Sequence, residues 1–241
     1  MITNKSDKWA EVFCAYAINN YLFKDKDFFV GDCSEKHFPD IYDSSLSLGI
    51  EVVQLEKNSD LDSKYVWRAY KDYGGDYNKI VRYCNDKFKD VYDLTNYNGK
   101  LGAFSTNDGP HNIDWMKDIY LKNIRNKLSK LNKGNYSGVQ KKFLCTSIIQ
   151  RAKDIYDVNL ILYIYLSCRK KFLVGYDGLV IITSEKIYIL NLENIETISP
   201  IFSQNIIYDF TIVGKNYLTT IDYDYNLCNK LANETIKNLS L

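Results

Sequence analysis

The order of apolar and polar positions predicts alternating helices and short strands. Over residues 6–23, SDKWAEVFCAYAINNYLF, the residues Trp9, Phe13, Ala17 and Tyr21 recur at every fourth position. That spacing predicts a helix, with Ser6 or Asp7 as its cap. Glu11 lies on the neighbouring line with Ala15, Ile18 and Leu22, which is otherwise apolar. Two short strands follow in Lys36–Lys57, one around Phe38–Ile41 and one through Ile50-Glu51-Val52-Val53, joined by the serine-rich 43–47. An earlier strand begins in DFFVGD, 27–32.

Further along, the pattern predicts helices at Leu61–Tyr73, closed by Gly74-Gly75, and at 77–94. Residues 95–111 read as a loop holding one short strand at Leu101–Phe104. Asn112–Leu131 reads as a capped helix ending at Asn132-Lys133-Gly134, and Val139–Ile155 as a weaker helix. Leu160–Leu166 is continuously apolar, so periodicity does not separate strand from helix there. Gly178–Ile182 and Lys186–Leu192 read as strands, Ile206–Val213 and Tyr217–Ile221 as further strands, and Leu227–Leu239 as a closing helix. The order predicts an α+β or mixed α/β fold, a small mixed sheet flanked by helices.

Two acids stand out against this frame. Glu51 sits in a nearly apolar strand, where a charge is costly unless paired or coordinated. A hairpin would bring Asp40 beside it, and two neighbouring carboxylates repel unless a cation or proton offsets them. Glu11 has two readings: a first-turn glutamate favoured by the helix dipole, or a third carboxylate aimed at the same site.

Composition adds bounds. The chain of 241 residues is 46% hydrophobic and 25% charged, ordinary for a folded domain. Six scattered cysteines without a CxxC, and a start without an apolar leader segment, predict reduced thiols and a cytoplasmic setting. No apolar run approaches the roughly 20 residues that span a bilayer. Nucleotide-binding glycine motifs, GxSxG and HExxH are absent, and His37 and His111 form no ligand pair.

The net charge of +1 hides segregation: residues 117–153 hold ten basic side chains against Asp118 alone. That suits a phosphate-backbone surface for DNA or RNA, with Lys122, Arg125, Lys141 and Lys142 as candidate contacts. Tyr120 and Tyr136 are candidates for stacking on bases.

A helix with Glu11, then Pro39-Asp40, then Glu51 on the next strand resembles the PD-(D/E)XK nuclease-like family, with its restriction-endonuclease-like core. The resemblance covers roughly residues 6–56. It implies one nuclease-like domain over 1–241, with a motif-bearing core at 6–56, a helical subregion at about 60–155 and C-terminal strands and helix at about 160–241. It implies that Asp40 and Glu51 bind Mg²⁺ or Mn²⁺, with Glu11 beside them, to cleave a phosphodiester. Many nucleases of this fold dimerise to cut both strands.

The family's lysine, two residues after the second acid, is Val53 here. Relocated lysines occur in the family, and Lys64, Arg68 and Lys71 on the following helix are the candidates, Lys64 foremost. The alternatives are a nuclease-like fold that binds nucleic acid or protein without turnover, and an unrelated α+β protein in which Glu51 is a structural ion-pair partner.

Overall fold

In a computed structural model, the described residues are 5–24, 28–30, 38–54, 66–89, 92–106, 113–136, 138–147, 155–203 and 206–238. The chain divides into two compact units, Met1–Leu55 with Tyr120–Leu241, and Glu56–Ile119. The larger is mixed α+β. It opens with α1, Lys5–Ala17, continued by a π-helical turn at Ile18–Leu22. Strands β1 (Phe28–Val30), β2 (Ile41–Asp43) and β3 (Leu48–Gln54) follow.

In the smaller unit, α2 is described over residues 66–72 and is followed by α3, Tyr77–Lys89. Strands β4 (Tyr92–Tyr97) and β5 (Lys100–Thr106) form an antiparallel hairpin. Val66, Ala69, Ile80, Cys84 and Leu101 make this unit's core. The loop expected over 95–111 is therefore mostly hairpin. Its turn is Asn98-Gly99, with φ of 50° and 77°, the left-handed pair that a two-residue hairpin turn requires.

Helix α4, Ile113–Asn132, leads back into the larger unit. There follow β6 (Lys141–Ser147), α5 (Ile155–Arg169), β7 (Gly178–Ile182) and β8 (Lys186–Asn191). A long hairpin, β9 (Ile195–Ser203) with β10 (Ile206–Gly214), precedes β11 (Leu218–Asp222) and α6 (Tyr225–Asn238). The main sheet has seven strands in the order β1-β2-β3-β6-β7-β8-β11. Its centre is parallel, β3 with β6 and β6 with β7, and both margins are antiparallel.

The helix expected over Val139–Ile155 is corrected at Lys141–Ser147, which is a strand between two parallel neighbours. β6 reads KKFLCTS, with only Phe143–Cys145 apolar and burial confined to Leu144–Ser147 on both faces, so it shows no alternation for periodicity to assign. Cys145 faces one core and Leu144 is buried on the other side. The ambiguous run at 160–166 is the middle of α5, apolar nearly all round because Val158, Ile161, Leu162 and Tyr165 are all buried.

Period-two geometry assigns the two sheet faces. Ile50 and Val52 join Phe13, Ile18, Cys145, Val180, Ile182, Cys228 and Ala232 in the core beneath α1 and α6. Glu51 and Val53 therefore point to the other face, where Tyr120 of α4 meets Thr146 of β6, hydroxyl to hydroxyl at 3.1 Å. The five described cysteines, Cys14, Cys84, Cys145, Cys168 and Cys228, are free and buried. Among the described residues, no helix is long and apolar enough to cross a membrane.

Candidate active site

Asp40 and Glu51 come together through strand register. Ile41 pairs with Ile50 across the β2–β3 hairpin, which sets Asp40 against Glu51. The pairing is held by reciprocal bonds. The Asp40 amide donates to Glu51 Oε2 at 3.3 Å, and the Val52 amide donates to Asp40 Oδ2 at 2.8 Å.

The hairpin turn is fixed by a second acid. Asp43 is buried and accepts from Ser45 Oγ at 2.8 Å, Ser47 Oγ at 2.5 Å and the Leu48 amide at 2.9 Å. The serine-rich connection thus serves as a side-chain-capped turn. On β3, a Cβ at Gly49 would lie 2.6 Å from Pro39 Cγ and 2.9 Å from Val139 Cγ1. Only glycine lets Pro39, and Asp40 after it, lie this close to the strand.

The cation between the acids is Lys127 of α4. Its Nζ lies 3.0 Å from Asp40 Oδ2 and 2.5 Å from Glu51 Oε1. Lys130, one turn on, brings its ammonium to 4.0 Å from the same Glu51 oxygen. Tyr136 is buried at φ +67° in the turn after α4 and hydrogen-bonds the Glu51 carboxylate through its side chain. The Tyr176 hydroxyl donates to the Lys127 carbonyl at 3.4 Å.

The electrostatics follow from burial. Glu51 is 2% exposed, and desolvation first, then the Asp40 charge, push its carboxyl up against the pull of Lys127. Burial disfavours the Lys127 ammonium, but Asp40 and Glu51 outweigh it and hold the proton more tightly than usual. Glu11 is raised to about 7, by burial and then by Asp40, with Lys8 and Lys127 opposing. Glu11 reaches this field from α1, on the sheet face opposite Glu51, so it is coupled to the pair without a described hydrogen bond to it.

The remaining candidates separate. Val53, at the family's lysine position, is buried and lines a groove of about 560 Å³ with Val52, Lys127, Lys130 and Lys133. Lys64 lies outside the described residues. Arg68 pairs with Asp72 at 3.9 Å in the smaller unit, where Lys71 is exposed. Arg125 hydrogen-bonds Cys168, and Lys122 and Lys141 are exposed outside the groove lining. Lys142 is half-buried, and its amide donates to Asp177 Oδ2 at 2.7 Å. Tyr120 and Tyr136 are both buried, which removes them as base-stacking platforms. Lys127 was hidden in the sequence among ten basic residues of its segment. Its one local signal was a place one turn from the buried line of Ile124, Leu128 and Leu131.

Among the described residues, no group of three or more His, Cys, Asp or Glu side chains is arranged to hold a metal ion. Two hard carboxylates converging on one cationic point nonetheless suit Mg²⁺, which takes one or two carboxylates and leaves other positions to water and phosphate. Comparison of the chain with family models, curated proteins and solved structures found no match.

Proposed function

We propose that the protein is a metal-dependent phosphodiesterase of the nuclease-like class, acting on DNA or RNA. The observation that carries this reading is the convergence of Asp40 and Glu51 on the Lys127 ammonium at the inner end of a lysine-lined groove. The strand order supports it as well. Leaving out the smaller unit between β3 and α4, a helix, three antiparallel strands, α4 and a parallel strand follow one another, with the acids and the lysine on facing elements. Asp40 and Glu51 would hold Mg²⁺ or Mn²⁺, which when bound supplies Lewis acidity at the phosphoryl oxygen and a water acidified for attack. Lys127 takes the role of the missing motif lysine, its ammonium placed to donate to a phosphoryl oxygen. Glu11, protonated in part near neutrality, adjusts the local charge.

The test is cleavage of labelled DNA and RNA with Mg²⁺ or Mn²⁺, against Asp40→Ala and Glu51→Ala. Metal-dependent cleavage lost in both variants is the expected result. No cleavage of any strand, together with no divalent-ion binding by calorimetry, would end this reading.

A second reading is a nuclease-like fold that binds nucleic acid or protein without turnover. It is favoured by the direct Lys127 pairing, which neutralises the acids without a metal. It expects strand binding that is indifferent to Mg²⁺ and to Asp40→Ala. A homodimer, which sedimentation would reveal, is compatible with either reading.

A further inference from the structure

The groove beside Glu51 is lined by Val52, Val53, Asn126, Lys127, Lys130 and Lys133, together with Asn123 and Ser129. Every charged side chain of this lining is a cation; Asp40 and Glu51 pair most closely with Lys127, and Lys130 reaches Glu51 at 4.0 Å. Along α4, Asn126 and Lys130 fall at i and i+4 on one face, and Lys133 follows in the first position after the helix, its amide still donating to the Ser129 carbonyl at 3.1 Å. Asn126 and Lys133 are exposed, and the Lys130 side chain is 54% exposed. On the strand side the Val53 side chain faces the groove and offers no polar group, so the side-chain polar contacts of an occupant come from α4 and the turn after it.

We infer that this face of α4, with the turn that follows it, is a track for the phosphodiester backbone of one nucleic-acid strand, with Lys130 and Lys133 as its phosphate anchors. The inference rests on the phosphodiesterase reading of the same site and adds where the strand lies. Seven helical residues span about 10.5 Å, at 1.5 Å per residue. Consecutive phosphates of one strand lie further apart than the ~3.4 Å axial rise per nucleotide of a duplex, so that length meets about two of them. A phosphate beside Glu51 meets a carboxylate and needs a bridging cation, whereas one over Lys133 does not, and Lys130, 4.0 Å from Glu51 Oε1, faces both the carboxylate and the track. Anchoring by these two lysines therefore persists without a divalent metal. The contacts reach phosphate and not base edges, so the track positions a strand without reading its sequence.

The test is fluorescence anisotropy in EDTA, with labelled single-stranded and duplex DNA and RNA of mixed sequence, from 50 to 200 mM salt. Lys130→Gln/Lys133→Gln should lower the slope of log K against log salt by about 1.4 for a single strand or about 1.8 for a duplex. The size of the change thus tells the two apart. Lys130→Arg/Lys133→Arg should keep the wild-type slope and controls for folding. Lys230→Gln/Lys237→Gln on α6 removes the same charge elsewhere in the unit and should leave the slope nearly unchanged. A wild-type slope in the groove variant, an equal loss in the α6 variant, or no binding by the wild type would each overturn the track. Cleavage in Mg²⁺ separates the two readings. A lowered slope without cleavage keeps the track and removes the phosphodiesterase, and cleavage with an unchanged slope does the reverse.

Discussion

Lys127 Nζ lies 2.5 Å from Glu51 Oε1, although 76 residues separate the two in the chain. The same ammonium bonds Asp40, so one lysine holds together an acid of β3 and the acid that immediately precedes β2. Removing it leaves both carboxylates without their closest cation. Lys127→Gln should destabilise the protein by about 3 kcal/mol, the cost typical of breaking a buried pair from one side. Glu51→Gln leaves the Asp40–Lys127 pair intact and relieves a desolvated charge, so it should cost at least about 1–2 kcal/mol less. Urea unfolding of the two variants at pH 7 measures the difference. Equal losses would show that Lys127 is not the hub.

Glu11 makes stability pH-dependent in a defined window. Its folded carboxyl titrates near 7, against 4.5 as the ordinary value. Between those values the unfolded chain has lost the proton that the folded chain keeps, so stability falls as pH rises from about 4.5 through 7. Glu11→Gln should flatten that fall. Above pH 7 it should raise stability by about 1–2 kcal/mol, allowing for solvent screening at a partly exposed group. Thermal melts from pH 5 to pH 8 supply the check. A variant that keeps the wild-type pH profile would remove Glu11 from the field of the acid pair.

Gly49 is a packing constraint on the site. Alanine there meets Pro39 and Val139 at distances below ordinary contact. Gly49→Ala should cost about 1–3 kcal/mol, as overpacking does, and should lower divalent-ion affinity by displacing Asp40. Calorimetric titration with Mn²⁺, alongside denaturation, tests both effects.

Asp43 determines the hairpin that brings Asp40 to Glu51. Asp43→Ala strips a buried acceptor from Ser45, Ser47 and the Leu48 amide. It should cost about 2–3 kcal/mol, since the buried Leu48 amide loses its partner. Asp43→Asn, which keeps one acceptor oxygen, should cost less. Amide exchange at Leu48, faster in Asp43→Ala than in Asp43→Asn, would locate the loss in this turn.

The sequence by itself determined α1, the strand of Glu51, α4 and the antiparallel pair β7–β8, because each carries its period in neighbouring residues, whereas the strand expected around Phe38–Ile41 begins only at Ile41 and runs to Asp43. It also placed Asp40 against Glu51, since the connection between the strands is short and a lone acid in an apolar strand needs a partner. It did not separate β6 from a helix. A parallel strand buried on both faces has no alternation, and its partners β3 and β7 are distant in the chain. The hairpin at 92–106 was legible in Asn98-Gly99 and was missed because its strands are polar. The identity of the cation was set only by tertiary structure. Lys127 is one lysine among many on a basic helix, marked locally only by its place one turn from the buried line of Ile124, Leu128 and Leu131. It becomes particular because β3 and β6 pair in parallel, which lays α4 over the face to which Glu51 points. A charge pair joins residues by distance in space, and across 76 residues of chain only the packed sheet fixes that distance.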